Sequence, residues 1–284
     1  MPELPEVETI VRGLRRILIG KKISSVRVRS EKVLGWPSRR FRKALEGASI
    51  REIGRKGKFI LIAFDRDLLL VTHLRMTGQF LRVPREQAVD KHTHVIFDLE
   101  PGSLQLRYRD VRKFGRLGVL TGEEPTIPLL KGLGPDALEI SAEAFFRNLQ
   151  QKKRAIKPLL LDQTFLSGLG NIYVDESLYR ARIHPLTRAD ALRRDQVREL
   201  HRHMRRILDQ AIKAKGTTVS DYRGPEGIVG GFQRYLRVYG RAGEFCRICG
   251  SPIRKSRVGG RGTHTCPGCQ PLPPHPPPPA KISS

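Results

Sequence analysis

The start of the chain carries apolar residues at helical spacing. Within residues 5–18 they recur every three or four positions, at Val7, Ile10, Val11, Leu14, Ile17 and Leu18. Such a stripe is typical of a helix with one buried face. Gly20 follows it and favours a stop at that point. We therefore expect an amphipathic helix that ends before Gly20.

The pattern changes toward strands between this helix and about residue 120. Short, β-rich apolar stretches occupy residues 59–64, 68–74, 94–99 and 104–109, and turn residues separate them. Helical segments do not alternate with these stretches, as they would in βαβ units. An all-β layer such as a sandwich is therefore the expected architecture of this part of the chain.

Helical spacing returns in the second half. We expect helices at 141–151 and 157–162, a helix that opens at Gly170–Asn171, and a long helix near 190–214. The Gly-rich, polar composition of residues 216–231 predicts a mobile loop.

These patterns predict an α+β protein with five segments. A β-sandwich domain with its N-terminal helix spans residues 1–120, and a Gly- and Pro-rich interdomain linker spans 121–140. A helical domain follows at 141–243, and a cysteine-containing module at 244–270. The proline-rich tail, 271–284, cannot pack a core and is expected to be disordered.

The net charge of the chain limits the classes of partner that it is expected to bind. The 284 residues include 53 Lys+Arg against 28 Asp+Glu, a formal net charge of +25. Self-repulsion of this size favours a polyanionic partner, with nucleic acid first and an anionic membrane surface second. Ribosomal proteins share this balance, so charge alone names no activity. The sequence has no apolar run of membrane-spanning length and no secretory signal pattern, so we expect an intracellular protein.

The four cysteines form two C-x-x-C pairs, Cys246/Cys249 and Cys266/Cys269. Two such pairs can supply four thiolates to one tetrahedral zinc ion, while the stretch between them folds as a hairpin. Because four thiolates leave no open position, the expected zinc is structural. A redox pair or a chance grouping is the alternative. The basic residues between the two pairs could bind in a nucleic acid groove, or they could simply form a solvated basic surface.

The second residue has unusual chemical potential. Met1 precedes a small residue, so processing should expose Pro2 as a terminal secondary amine. An α-amine has a pKa of roughly 8, so a useful fraction is neutral at physiological pH and can attack an electrophilic carbon. Glu3 and Glu6 place two carboxylates nearby for proton transfer. Acidic residues are also common at helix starts, so these residues alone do not decide the matter.

The full string P-E-L-P-E-V-E-T at residues 2–9 resembles the N-terminal signature of the formamidopyrimidine-DNA glycosylase family, bacterial enzymes that remove 8-oxoguanine and ring-opened purines. Further stretches resemble the family in its own order, at residues 57–59 (GKF), 73–78 (HLRMTG), 110–115 (DVRKFG), 168–176 (GLGNIYVDE), 238–250 and 260–270. The resemblance covers residues 2–270. It implies a β-sandwich, a helix–two-turn–helix segment and a zinc finger whose ligands are the four cysteines.

The resemblance implies four catalytic residues. The amine of Pro2 would displace the damaged base at C1′ and form a Schiff base with the sugar. Glu3 matches the acid that assists opening of the sugar ring. Lys58 matches a lysine associated with β-elimination. Arg261 matches a finger arginine associated with δ-elimination and phosphate contact.

The resemblance also implies the DNA contacts. Met76, Arg112 and Phe114 match three side chains that fill the gap left by an extruded base. Residues 217–231 resemble a loop that closes over the everted lesion. Val111 and Lys113 depart from the commoner D-P-R-R-F-G of the family. His92 and Lys152 match further DNA contacts of the family. We also expect Asn171, whose amide lies at a helix start that suits a phosphate, and Tyr239 to contact the DNA backbone.

The expected protein is therefore a glycosylase/AP lyase that acts on damaged double-stranded DNA, with one structural zinc. We expect a monomer in the bacterial cytoplasm, associated with the nucleoid. An endonuclease VIII-like enzyme for oxidised pyrimidines is the nearest alternative, and a non-catalytic zinc-containing DNA- or RNA-binding protein is the alternative from another class. The motif at residues 2–9, the wedge residues (Met76, Arg112 and Phe114, which would fill the gap left by the base) and the long 217–231 loop favour the purine enzyme.

Overall fold

The structure is a computed structural model that describes residues 1–122, 130–217 and 230–274. The chain divides into two compact units. Unit 1 comprises Met1–Lys131 and Ala214–Gly231, and unit 2 comprises Gly132–Lys213 and Phe232–Ser284. Each unit has its own core and is described by itself.

In its described residues, unit 1 contains two four-stranded antiparallel sheets and two α-helices. The helices are α1 (Leu4–Leu18) and α2 (Ser38–Leu45). One sheet has the strand order β1 (Lys22–Val28), β6 (Thr93–Glu100), β7 (Leu104–Asp110) and β5 (Gly78–Pro84). The other has the order β2 (Ile50–Lys56), β3 (Phe59–Phe64), β4 (Leu68–His73) and β8 (Arg116–Thr121).

One continuous hydrophobic core joins the sheets and helices of unit 1. Its members alternate along the strands, as expected of a β-sandwich in which each sheet buries one face. The apolar face of α1 is fully buried, and α1 packs on β2 and β3. This packing holds the first turn of α1, directly after the predicted nucleophile and acid.

Unit 2 is helical and ends in a small hairpin. Its helices are α3 (Ala142–Gln150), α4 (Ile156–Leu161), α5 (Asn171–Arg180) and α6 (Arg194–Lys213). α5 packs against α4 and α6, and one strand of the hairpin also packs on α5. The hairpin consists of β9 (Arg254–Val258) and β10 (Arg261–Thr265). Gly259 and Gly260 form its turn with φ values of +56° and +74°, which L-residues with a side chain rarely adopt.

The α+β class is confirmed, and all five predicted helices are present within a few residues of their expected bounds. The four predicted strands are present as well. The sequence analysis missed α2 and the strands β1, β2, β5 and β8. Most of the 216–231 loop and most of the proline-rich tail lie outside the described residues, as does part of the 121–140 linker. Among the residues that the structure describes, no helix combines the length and the apolarity needed to cross a bilayer.

Candidate functional site

The first turn of α1 fixes the start of the chain. Pro2 and Glu3 are buried, and Glu3 is the N-cap residue of α1. Glu3 and Glu6 form a capping box, in which the Glu3 backbone N–H donates to Glu6 Oε2 at 2.9 Å. Pro2, the predicted nucleophile, therefore directly precedes an anchored helix start.

Glu6 holds a second segment of unit 1. Its Oε1 accepts a hydrogen bond from the Thr217 backbone N–H at 2.8 Å. Gly216 precedes that contact with φ +82°, and a Cβ at this position would lie 2.9 Å from Glu6 Cγ. The sequence analysis assigned Glu6 to proton transfer. In the structure its carboxylate accepts from two backbone N–H groups, so it joins Glu3 to residues 216–217.

Lys58, the predicted β-elimination residue, is buried in the turn between β2 and β3. Arg55 ties this turn to α1, because its guanidinium donates to the Gly57 carbonyl at 2.9 Å and to Glu8 Oε2 at 3.1 Å. Burial alone would raise the pKa of Glu8, but hydrogen bonds from Arg12 and Arg55 hold it below its usual value. The Glu8–Arg55 ion pair thus links the helix that carries Pro2 to the turn that carries Lys58.

His73 lies beside Lys58 at the end of β4. Burial lowers the pKa of His73 to about 3, and the positive charges of Arg75 and Lys58 act in the same direction. The ring is therefore neutral at physiological pH. Its Nδ1 accepts from the Arg75 backbone N–H at 3.0 Å, which shapes the turn just before Met76.

A fully buried carboxylate, Asp110, joins the two loops that carry the predicted wedge residues. Its Oδ1 accepts from the hydroxyl of Thr77, next to Met76, and from the Arg112 backbone N–H at 3.2 Å. Its Oδ2 accepts from the Gly115 backbone N–H at 2.8 Å. Both ends of the 110–115 loop are therefore fixed without the proline that Val111 replaces.

The predicted wedge side chains project from this frame into solvent. Met76 is 40% exposed and Phe114 is 49% exposed, so both apolar side chains are available for contact with a partner. The Arg112 guanidinium lies over the Phe114 ring, 4.5 Å from its centre. His92 lies in the same cluster, because its carbonyl accepts from the Asp110 backbone N–H at 2.9 Å. The structure thus brings together four of the residues predicted to contact DNA.

Unit 2 carries the other three predicted DNA-binding residues. Lys152 is exposed after α3, and Asn171 is the first residue of α5. Tyr239 is held by Glu176, a fully buried carboxylate of α5 whose Oε1 accepts from the Tyr239 and Val238 backbone N–H groups, each at 2.9 Å. The Tyr239 ring packs edge-on against His264 of the hairpin, with ring centres 5.1 Å apart. Arg261 is exposed and directly follows the hairpin turn.

The four cysteine sulfurs lie within 4.8 Å of one another. The shortest Sγ–Sγ separations are 3.3 Å for Cys249–Cys266, 3.6 Å for Cys249–Cys269 and 3.8 Å for Cys246–Cys269. A tetrahedron with zinc–sulfur bonds of about 2.3 Å has edges of about 3.8 Å. The Tyr179 hydroxyl lies 3.0 Å from Cys246 Sγ and satisfies a further sulfur lone pair. The four thiolates fit one structural zinc ion.

Three organising residues were missed or misassigned from the sequence: Glu6, Asp110 and Glu176. All three are buried carboxylates that accept hydrogen bonds from segments distant in sequence, from backbone N–H groups at Glu6 and Glu176 and from the Thr77 hydroxyl at Asp110. Their neighbours along the chain give no sign of these partners. Their partners are set by the fold.

Comparison with known families matches most of the chain. Residues 1–117 match the formamidopyrimidine-DNA glycosylase N-terminal domain, and residues 132–223 match the formamidopyrimidine-DNA glycosylase H2TH domain. Residues 243–272 match the zinc finger found in FPG and IleRS.

Individual relatives match over nearly their whole length. A formamidopyrimidine-DNA glycosylase of Latilactobacillus sakei is 45% identical over 273 residues, 95% of this chain and 98% of the relative. One of Heliobacterium modesticaldum is 47% identical, over 95% of this chain and 100% of the relative. A Lactococcus lactis FPG mutant in complex with a Fapy-dG containing DNA has a TM-score of 0.89 and 36% identity, covering 95% of this chain and 100% of that chain. MutM in complex with carbocyclic 8-oxo-G containing DNA has a TM-score of 0.88 and 37% identity, covering 95% and 100%.

Removal of zinc should act on unit 2 alone. Chelation should release one zinc per chain, speed amide hydrogen exchange in residues 244–270 and weaken binding to DNA, because the hairpin loses its four-thiolate anchor. The strands of unit 1 should exchange as before, since their core contains no cysteine. A zinc ion with an exchangeable bound water would contradict a structural role.

Gly115→Ala should destabilise unit 1 by about 1–3 kcal/mol, because the new Cβ would lie 1.7 Å from the buried Tyr108 hydroxyl. Adding Tyr108→Phe removes that clash and should recover part of the loss in urea unfolding. Gly54→Ala is the control, since a Cβ there meets no atom within 4 Å. Equal stability of the Gly115 and Gly54 variants would refute this packing.

Proposed function

The chain belongs to the formamidopyrimidine-DNA glycosylase family, and we propose from its site that Pro2 carries out the chemistry of that family. The protein is a DNA glycosylase for oxidised purines and an AP lyase, with damaged DNA as its partner. The observation that carries the assignment of the nucleophile is the anchored helix start at Glu3, which directly follows Pro2.

The Pro2 amine forms a bond to C1′ of the damaged nucleotide, and the bond from C1′ to the base breaks. Opening of the sugar ring then gives a Schiff base between the Pro2 nitrogen and C1′. A terminal proline suits this role because its pKa of roughly 8 leaves a neutral fraction at physiological pH. Lysine, with an ordinary pKa of about 10.4, is far less available as a nucleophile.

Glu3 and Lys58 are the proton-transfer residues of this proposal. Glu3 adjoins Pro2 in the chain and assists opening of the sugar ring. Lys58 assists β-elimination, in which loss of a C2′ proton breaks the C3′–O bond. The Glu8–Arg55 ion pair supports these roles because it ties the turn with Lys58 to the helix that begins next to Pro2.

Met76, Arg112 and Phe114 form the wedge. Extrusion of a base leaves an apolar gap and an unpaired partner base. The thioether and the phenyl ring fill the gap, and the guanidinium donates hydrogen bonds to the partner base. Their exposure on loops fixed by Asp110 supports this role, because the backbone of these loops is already ordered and insertion costs only side-chain entropy.

The remaining contacts go to the DNA backbone. His92 in unit 1 and Lys152, Asn171, Tyr239 and Arg261 in unit 2 bind phosphates. The start of α5 suits an anion because a helix carries a partial positive charge at its N-terminal end, and Arg261 also assists δ-elimination. We further propose that the protein acts as a monomer in the bacterial cytoplasm, where it associates with the nucleoid DNA.

Three duplexes separate this function from its alternatives: one with 8-oxoguanine opposite cytosine, one with an oxidised thymine, and one undamaged. The protein should release 8-oxoguanine and nick that strand fastest under single-turnover conditions. Faster action on the oxidised thymine would indicate an endonuclease VIII-like enzyme. Equal binding to all three without cleavage would indicate a non-catalytic binding protein.

Any residue attached to the Pro2 nitrogen, such as a retained Met1, should abolish excision. A variant with one extra residue between Met1 and Pro2 buries the proline nitrogen in a peptide bond, so the nucleophile is lost. Its affinity for a duplex with an abasic analogue should stay within about threefold, because the proposed phosphate contacts lie elsewhere. Excision of 8-oxoguanine by such a variant, with the extension verified by mass spectrometry, would rule out Pro2.

Phe114→Ala should slow excision of 8-oxoguanine from duplex DNA by at least about tenfold, because the extruded state loses its stacking partner. Cleavage of a preformed abasic site should change much less, since no base needs to be extruded there. Val111→Ala, on the same exposed loop, is the matched control. Equal losses on both substrates would argue against a wedge role.

A further inference from the structure

Unit 2 buries an ion pair for which the proposed chemistry has no use. Lys157 of α4 and Asp175 of α5 both have fully buried side chains, and Lys157 Nζ lies 2.6 Å from Asp175 Oδ1. Most lysine side chains lie at the surface, and a buried one requires a specific partner. Here Asp175 is that partner, and its second carboxylate oxygen also accepts a hydrogen bond.

Both members of the pair also hold strand β10 of the finger hairpin. Asp175 Oδ2 accepts from the His264 backbone N–H at 2.9 Å and lies 3.3 Å from His264 Nδ1. Lys157 Nζ donates to the Gly262 carbonyl at 2.9 Å. The two residues thus form hydrogen bonds with the backbone of Gly262 and His264, on either side of Thr263 and directly after Arg261.

Two neighbouring contacts fix the rest of this loop. The Asn171 side-chain amide donates to the same Gly262 carbonyl at 2.8 Å. A Cβ at Gly259 would lie 2.8 Å from Pro158 Cγ, so the hairpin turn packs at Gly259 against the residue that follows Lys157. The position of Arg261 is therefore determined from both sides.

Stability alone does not account for such a pair. Removing two charges from water costs several kcal/mol per ion, and apolar residues of similar size often replace a buried ion pair without loss of stability. A charged pair does what an apolar pair cannot, because it supplies directional hydrogen bonds to chosen backbone atoms. Here these atoms belong to Gly262 and His264.

We propose that Lys157 and Asp175 are positioning residues, which hold the Gly262–His264 backbone so that the Arg261 guanidinium is placed for δ-elimination. The inference rests on the proposed function of Arg261. Through His264, whose ring packs on Tyr239, the same pair also sets a second residue that binds the DNA backbone.

The test uses the double variant Lys157→Met/Asp175→Asn in the full-length zinc protein. Asp175→Asn alone would leave a buried ammonium group unpaired and endanger folding. The double variant removes both charges, and the amide oxygen still accepts from His264. Leu200→Ala, in the core of α6, is the control for a general loss of stability in unit 2.

The substrate is a duplex with a preformed abasic site under single-turnover conditions. β-Elimination leaves an unsaturated aldehyde at the 3′ end, whereas δ-elimination also breaks the C5′–O bond of the sugar and leaves a 3′-phosphate. The fraction of 3′-phosphate should fall by about tenfold in the double variant, because a misplacement of about 1 Å can cost about 100-fold and the shift expected here is smaller. Borohydride trapping should stay within about twofold of the parent, and Leu200→Ala should retain the parent fraction.

Arg261→Gln completes a double-mutant cycle. If the pair acts through Arg261, this change adds no further loss to the double variant. The inference is overturned if Arg261→Gln lowers the 3′-phosphate fraction in the parent while the double variant keeps it, or if the two losses add in full.

Failure of the proposed function gives a different result. If Arg261→Gln leaves the parent fraction unchanged, or the parent does not cleave, the role of Arg261 is wrong. Amide hydrogen exchange at residues 259–264 then tests whether Lys157 and Asp175 hold this backbone. Exchange faster in the double variant than in Leu200→Ala supports it, and equal exchange overturns it.

Discussion

The structure depends above all on holding the start of the chain still. The amine that we propose as the nucleophile, at residue 2, belongs to a part of a protein that ordinarily frays. Here the buried face of α1 anchors the helix on the β2–β3 hairpin, and Glu6 fixes the Glu3 backbone directly behind Pro2. The same carboxylate accepts from Thr217, and Glu8 accepts from Arg55 beside the turn with Lys58. The first two turns of one helix thereby connect the proposed nucleophile to the segments that contain Lys58 and Thr217.

The chain uses its few acidic residues in one recurring way. Within the described residues, Glu6, Asp175 and Glu176 are buried, and each accepts a backbone N–H from a segment distant in sequence. The buried Asp110 accepts the distant Thr77 hydroxyl together with the Gly115 backbone N–H of its own loop. A carboxylate that accepts such charge-assisted bonds fixes backbone more firmly than a neutral acceptor. With 53 Lys+Arg against 28 Asp+Glu, most basic side chains stay at the surface. The acidic residues build the frame, and the basic surplus is left for phosphates, which also relieve its self-repulsion.

The sequence predicts those features whose signals are local. Continuous apolar strands, helical stripes, paired cysteines and the motif at residues 2–9 need no knowledge of the fold. The missed strands β1 and β2 carry polar residues, and each has an irregular register, between Ile23 and Ser25 and between Ile50 and Glu52. Such a bulge interrupts the alternation that would reveal a strand. The role of Asp110 was equally hidden, because its partner Thr77 lies 33 residues away, and Glu6 and Thr217 are 211 residues apart. Only the folded chain selects these pairs.

The identity of the nucleophile is the central claim, and one measurement addresses it directly. Borohydride is added while the protein acts on a duplex with 8-oxoguanine opposite cytosine, so that any imine is reduced to a stable bond. After digestion of protein and DNA, mass spectrometry locates the residue that carries the sugar remnant. The account predicts a single modified peptide that begins at Pro2, with the remnant on the proline nitrogen. A remnant on Lys58, or on any other lysine, would contradict it.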